Sequence, residues 1–277
     1  MQLKSFGRDV RCAVAPLYCC IRGLPLLLAK SPKTPLRVLC IMAFDTLYMY
    51  RRSKSMPRDS QQVLAAFLDF GASENALIDR KQYSRSEQDA NEQVLLNSGH
   101  GFLLSDYVTQ LRRIERLRPL PGGDRRRFEE IRAYREAVAR LSLETIAAVV
   151  FDADDCRDSE GHPSLSGECR ELEILFRIVM QCQVIDDVLD YSKDAAAGLP
   201  SFLTATTDLQ QSIQYSAEAA RTYGDLEGQS LFVATVVLRI VLFCVSNLAK
   251  AVLSVCQWRH RTFGAVRLRV EQKPVRP

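Results

Sequence analysis

Residues 170–197 contain no glycine and no proline, and this continuity constrains the chain more than any other feature. At 1.5 Å of rise per residue the segment makes one helix of roughly 40 Å. Leu172, Phe176 and Val179 fall at i, i+4 and i+7, the spacing of a single helical face. The same face continues as Gln183, Asp186 and Asp190, with Asp187 and Asp194 beside it. An apolar stripe therefore becomes a row of carboxylates without changing direction. Aspartates aimed at a protein interior repel one another and lose hydration, so something must compensate them. Hard divalent cations do this, because Mg²⁺ takes oxygen ligands and retains waters and substrate phosphates. The competing reading is a helix that surfaces at Asp186, its acids solvated and Lys193 their partner.

The rest of the chain has the same period. Val63, Leu64, Phe67 and Leu68 begin one stripe, and Ile131, Tyr134, Val138, Leu141 and Thr145 mark one face of another helix. Breaks are expected at Ser31–Pro35, Ser53–Asp59, Pro119–Asp124, Asp152–Gly167 and Gly198–Ser201. There is no run of short alternating strands, no strand–helix alternation, no internal repeat and no dividing linker. With 47% hydrophobic and 25% charged residues the composition is globular. The expectation is one all-α domain over residues 1–257, a bundle of long helices, followed by a basic, flexible tail at 258–277.

Nine cysteines, an odd number with no C-x-x-C pair, argue against a disulfide framework and a zinc ribbon. Reduced thiols fit a cytoplasmic protein. Residues 1–60 hold eleven Lys/Arg against Asp9, Asp45 and Asp59, and the last twenty residues hold six against Glu271 alone. Such basic ends suit an anionic ligand or peripheral contact with a membrane surface. No base-reading motif accompanies them, so no nucleic-acid partner is expected. Residues 12–29 are apolar but interrupted by Pro16, Arg22 and Pro25, a poor signal peptide. Residues 231–249 are almost continuously apolar with Arg239 at their centre, which favours a buried bundle helix over a membrane span.

Gln183-Val184-Ile185-Asp186-Asp187-Val188-Leu189-Asp190 resembles the second aspartate-rich motif, Q-x-x-D-D-x-x-D, of all-trans isoprenyl diphosphate synthases. Gly198-Leu199-Pro200-Ser201 looks like the link that follows that helix in the same class I isoprenoid superfamily. Residues 68–81 resemble the D-x-x-D-x-x-x-D helix of large-terpene synthases such as tetraprenyl-β-curcumene synthase. Asn75 and Asp79 match that pattern, and Ala72 replaces its first aspartate. Ala43-Phe44-Asp45-Thr46 and residues 128–150 share the likeness, which covers roughly residues 36–210. The resemblance implies a terpenoid synthase-like helical bundle around a central apolar cavity. It implies Mg²⁺ held by Asp186, Asp187 and Asp190 on one helix and by Asn75 and Asp79 on the facing one, and a prenyl diphosphate substrate. The metal would stabilise the departing diphosphate, so Asp186, Asp187 and Asp190 are the expected catalytic residues. Gln183, Lys193, Asp194 and Arg80 are the expected substrate-binding residues.

Arg80, Lys81, Arg135 and Lys193 are the cations within reach of phosphate, with Lys193 preferred because its helix already carries the acids. Phe67, Phe70, Tyr134 and Phe176 could stabilise an allylic cation or simply pack the core. The acidic stretch Asp152–Asp158 fails the calcium-loop pattern, since Cys156 and Arg157 stand where an oxygen ligand and glycine belong. Three histidines, His100, His162 and His260, are too scattered for a hydrolytic triad. The expected function is a Mg²⁺-dependent class I isoprenoid enzyme, a terpene synthase or prenyltransferase. The alternatives are a non-catalytic helical relative that binds a lipid or protein partner, favoured by Ala72, and an unrelated helical scaffold.

Overall fold

A computed structural model describes residues 34–52, 54–79, 84–151, 170–225 and 233–271. Among the described residues it is all-α. In chain order the helices are α1 (Thr34–Arg52), α2 (Arg58–Ile78), α3 (Arg85–Asn97), α4 (Gly101–Arg116), α5 (Arg125–Val150), α6 (Arg170–Ala197), α7 (Leu209–Gly224) and α8 (Val233–Glu271). The described residues hold no strand, only an isolated parallel bridge between Gly123 and Thr206. The acidic segment at 152–158, the apolar segment at 12–29, His162, and Arg80 with Lys81 lie outside the described residues. The helices gather into two compact units, and α4, α5, α6 and α8 contribute residues to both.

The first unit takes in Met1–Arg113, Arg140–Ile174 and Ser230–Arg239. In α2, Val63, Leu64, Phe67 and Phe70 are buried, the i, i+1, i+4, i+7 pattern of a core-facing stripe. On α4 the core positions are Leu104, Tyr107 and Leu111. The Tyr107 ring meets Phe67 edge-on with centroids 4.9 Å apart. Gly71 lies beneath that tyrosine, where a Cβ would come within 3.3 Å of the hydroxyl oxygen. The break between α1 and α2 is held from inside the preceding helix: the buried Asp45 carboxylate accepts a 2.6 Å hydrogen bond from the Met56 amide. Ser84 caps α3 by accepting a hydrogen bond from the Glu87 amide. Tyr48 stacks on the buried Phe151 with centroids 6.2 Å apart.

The second unit takes in Ile114–Ala139, Leu175–Gln229 and Ile240–Pro277. Its core surrounds Phe128 of α5, whose ring lies 5.7 Å from Phe202 and 5.4 Å from Tyr215. Gln181 of α6 is fully buried and donates to the Ala220 carbonyl oxygen at 2.6 Å and to the Ser246 hydroxyl at 3.0 Å. This one side chain joins α6 to α7 and α8. Asp208 caps α7 by accepting a hydrogen bond from the Gln210 amide. The inner face of α8 here is Leu242, Ser246, Ala249 and Leu253, all buried.

Helix α8 runs from Val233 to Glu271. One expectation changes: the buried-helix reading of the apolar stretch around Arg239 fails over much of its length, because Ile240, Phe243 and Leu248 are more than half exposed. The reason is geometric: only one face of a helix can meet a core, and α8 is apolar on more than one.

Phe128→Ala removes the ring on which Phe202 and Tyr215 pack, and should lower stability by about 3–5 kcal/mol. Urea unfolding followed by circular dichroism measures this. Gln210→Ala, on the exposed side of α7, should stay within about 0.5 kcal/mol of wild type.

Candidate functional site

The acidic motif lies in the C-terminal half of α6, wholly inside the second unit. Leu, Met, Gln and Glu, none of them β-branched, sustain this helix with no Gly or Pro to break it, and Glu171 and Glu173 suit the positive end of its dipole. It ends at Gly198, which takes the left-handed conformation with φ +64°. The Gly198 amide donates to the Ala195 carbonyl and the Leu199 amide to the Asp194 carbonyl, a Schellman stop that only glycine reaches without strain. Pro200 then prevents the helix from resuming.

The loop after that stop is folded inward. Ser201, Phe202, Leu203, Thr204, Ala205 and Thr206 are all buried. Thr204 organises one side, its hydroxyl accepting from the Ser201 amide at 2.8 Å and donating to the Leu199 carbonyl at 2.7 Å. Asp187 organises the other. Its Oδ2 accepts a 2.6 Å hydrogen bond from the Phe202 amide. Its Oδ1 accepts from the Arg135 guanidinium at 3.0 Å, and the same Arg135 nitrogen donates to the Pro200 carbonyl at 3.1 Å. The loop is anchored further where the Gly122 and Gly123 amides donate to the Thr204 and Ala205 carbonyls.

The expected inward row of carboxylates is therefore rearranged. Asp187, which flanked the predicted stripe, is the buried acid at 2% exposed, while Asp186 is exposed. Asp190 and Asp194 are half-buried. The stripe begins in the core with Leu172 and Phe176 and surfaces at Asp186, about three turns before the helix ends at Ala197. Lys193, solvent-exposed, holds Asp190 at 2.5 Å, an i, i+3 pair that solvent screens strongly. Gln183 is half-buried, and its Oε1 is buried without a hydrogen-bond partner among the described residues. Burial pushes the Asp187 carboxyl up from 3.8 to about 6; Arg135 and the Phe202 amide oppose this, and Asp194 and Asp186 add to it.

Asn75 and Asp79 lie in the first unit. Asn75 and Ala72 are exposed on α2, whereas Ser73 and Glu74 between them are buried. Asp79 is the C-cap, its amide donating to the Asn75 carbonyl. The face matching the first aspartate-rich motif is thus the outer face of α2, away from the stripe that fills the core. The aromatic candidates are committed to packing or hydrogen bonds. Phe67 meets Tyr107, Phe176 meets Tyr223 with centroids 6.3 Å apart, Phe70 is buried, and the Tyr134 hydroxyl donates to Glu115 at 2.6 Å.

Arg135 is the cation that the sequence reading undervalued. It was one of four candidate cations, and Lys193 was preferred for its place on the acidic helix. Arg135 reaches Asp187 from another helix, 52 positions away in sequence, and no local spacing announces that. Among the described residues no three His, Cys, Asp or Glu side chains converge as a ready metal group. An open cleft of about 580 Å³ lies at the start of α5, lined by Gly123, Asp124, Arg126, Arg127, Glu130 and Thr207. Its lining is polar, unlike the wall a prenyl chain requires. No protein-family model, curated protein or solved structure matches this chain.

A carboxyl whose pKa is raised on folding favours the fold in its protonated form. That contribution is complete below the unfolded value of 3.8 and is lost as pH rises through about 6. Wild type should therefore lose stability relative to Asp187→Asn by about 1.4 kcal/mol per pH unit within that window. Urea unfolding of both proteins at several pH values isolates Asp187, since asparagine does not titrate. A difference that stays flat would show that Asp187 keeps its ordinary pKa.

Proposed function

We propose that the end of α6 is a Mg²⁺-dependent diphosphate site and that the chain is a class I isoprenoid-type enzyme acting on an allylic prenyl diphosphate. The observation that supports this is the donor set in the C-terminal half of one helix: Asp186 exposed, Asp190 half-buried and held only by the exposed Lys193, and an unpartnered Gln183 oxygen on the same face. These are hard oxygen donors of the kind Mg²⁺ takes, and too few to enclose an ion without oxygens from the diphosphate itself. When bound, the metal would supply charge stabilisation for the departing diphosphate. Asp186, Asp190 and the Gln183 oxygen would hold it, and Asp194 would reach the diphosphate only through the metal, since two anions repel. Lys193 would offer a cation at the mouth after releasing Asp190. Asp187 has a different part in this proposal. It is a positioning residue that fixes the helix end and the 200–206 loop through Arg135 and Phe202.

The second reading is a non-catalytic helical relative. The engagement of Asp187 in holding a loop, with Ala72 in the first motif, favours it, because a D-D-x-x-D pattern can persist for folding alone.

Incubating the protein with allylic diphosphates of several chain lengths and Mg²⁺, then measuring released diphosphate and extracted apolar product, separates the two. The catalytic reading expects release from at least one substrate. Asp186→Ala and Asp190→Ala should each lower that rate roughly 100-fold or more, with stability within about 0.5 kcal/mol of wild type. Mg²⁺ and pyrophosphate together should raise the melting temperature where neither alone does. No release from any substrate by folded protein, with no joint shift in melting, leaves the non-catalytic reading.

A further inference from the structure

Helix α8 bears two apolar faces. One is used: Leu242, Ala249 and Leu253 are buried, and Ser246 on that side is hydrogen-bonded to Gln181 of α6. The other is open. Val241, Leu248 and Val255 recur every seven residues, and Ile240 and Trp258, five turns apart, line up with each other on the adjoining side of the same face, about 60–100° round the helix. All five are exposed, Trp258 at 64% and Ile240 at 57%. A continuous outward stripe of this kind on a soluble surface marks a docking face.

Charge indicates what docks. From Val233 to Val270 the helix sequence contains no acid. Trp258 closes the stripe and is followed at once by Arg259, His260 and Arg261, all exposed, and in sequence by Arg267 and Arg269. A tryptophan at the edge of an apolar stripe beside a run of cations is the pattern of helices seated in an anionic lipid interface. A second copy of the chain is a poorer fit, because pairing two such helices brings cations together with no acid before Glu271 on either to relieve them.

Leu238–Thr262 is also long and apolar enough to cross a membrane, with a mean hydropathy of 1.8. Two features oppose a span. The Gln181–Ser246 hydrogen bond and the buried residues tie one face to the protein. Asn247, Lys250 and Ser254, exposed beside the stripe, would be carried into hydrocarbon. We propose that the outer face of α8 seats this protein on an anionic phospholipid surface, the helix lying in the interface with Ile240–Trp258 inward and Arg259 and Arg261 on the headgroups. This proposal does not depend on the catalytic reading.

Flotation of the purified full chain with phosphatidylcholine vesicles, with and without phosphatidylserine, tests it. The protein should float with the anionic vesicles and bind the neutral ones at least about tenfold more weakly, with added salt releasing it. Arg259→Gln with Arg261→Gln should weaken partitioning roughly 30-fold, about fivefold for each cation. Leu248→Asn with Val255→Asn should weaken it at least about tenfold with an unchanged melting curve, since both side chains are exposed. No flotation with anionic vesicles overturns the proposal. So does a dimer in vesicle-free gel filtration that the Leu248→Asn, Val255→Asn protein lacks, which would make the stripe a self-association seam.

Discussion

The second unit turns on a single buried carboxylate. Asp187 receives a guanidinium from α5 and a backbone amide from the loop after α6, and the same arginine holds that loop's first carbonyl. Three pieces of chain that no local preference would bring together are fixed by one charge network. A charge this deep persists only if its lone pairs are occupied, and here both oxygens are. The inward fold of residues 201–206 depends on that arrangement, as does the packing of Phe202 on Phe128. The loop in turn fixes the end of α6, where the remaining acids are displayed.

This division of labour among adjacent aspartates is the main chemical point of the molecule. Asp186 and Asp187 are neighbours and differ in almost everything physical. One is solvated, and the other is buried with its proton affinity raised. Successive residues on a helix point about 100° apart, so a pair of aspartates at a core boundary is split by geometry into one buried and one exposed acid. A repeated-acid motif can therefore serve structure and binding together, and the two roles are separable by substitution. The first unit offers a parallel: Asp45 uses its buried carboxylate to hold the Met56 amide at the break between α1 and α2.

Much of the fold was legible from the residues. The unbroken helix over 170–197, its stop at Gly198, the breaks near Ser53 and Pro119 and the buried face of α2 follow from periodicity and from glycine and proline, which act within a few residues of themselves. The site was legible only as a list of donors. Its orientation was misread because a wheel drawn from Leu172 forward assumes that the core continues alongside the helix, whereas α6 emerges from it near Asp186. Arg135 was visible as one arginine among many. Its distinction comes from standing opposite Asp187, a relation created by packing.

The apolar stretch of α8 shows where the boundary lies. Sequence by itself determined that this segment is helical, rich in apolar residues and free of acids until Glu271, because those are properties of covalent structure and local backbone preference. It also determined that six Lys/Arg follow within the last twenty residues. Only the tertiary structure decided which apolar residues were spent on the core and which remained outside. Leu242, Ala249 and Leu253 are taken up while Val241, Leu248 and Val255 are left to solvent, although the two sets are chemically alike. Burial is a property of the neighbours a residue acquires from distant parts of the chain, and the hydrophobic effect that drives it has no direction until packing supplies one.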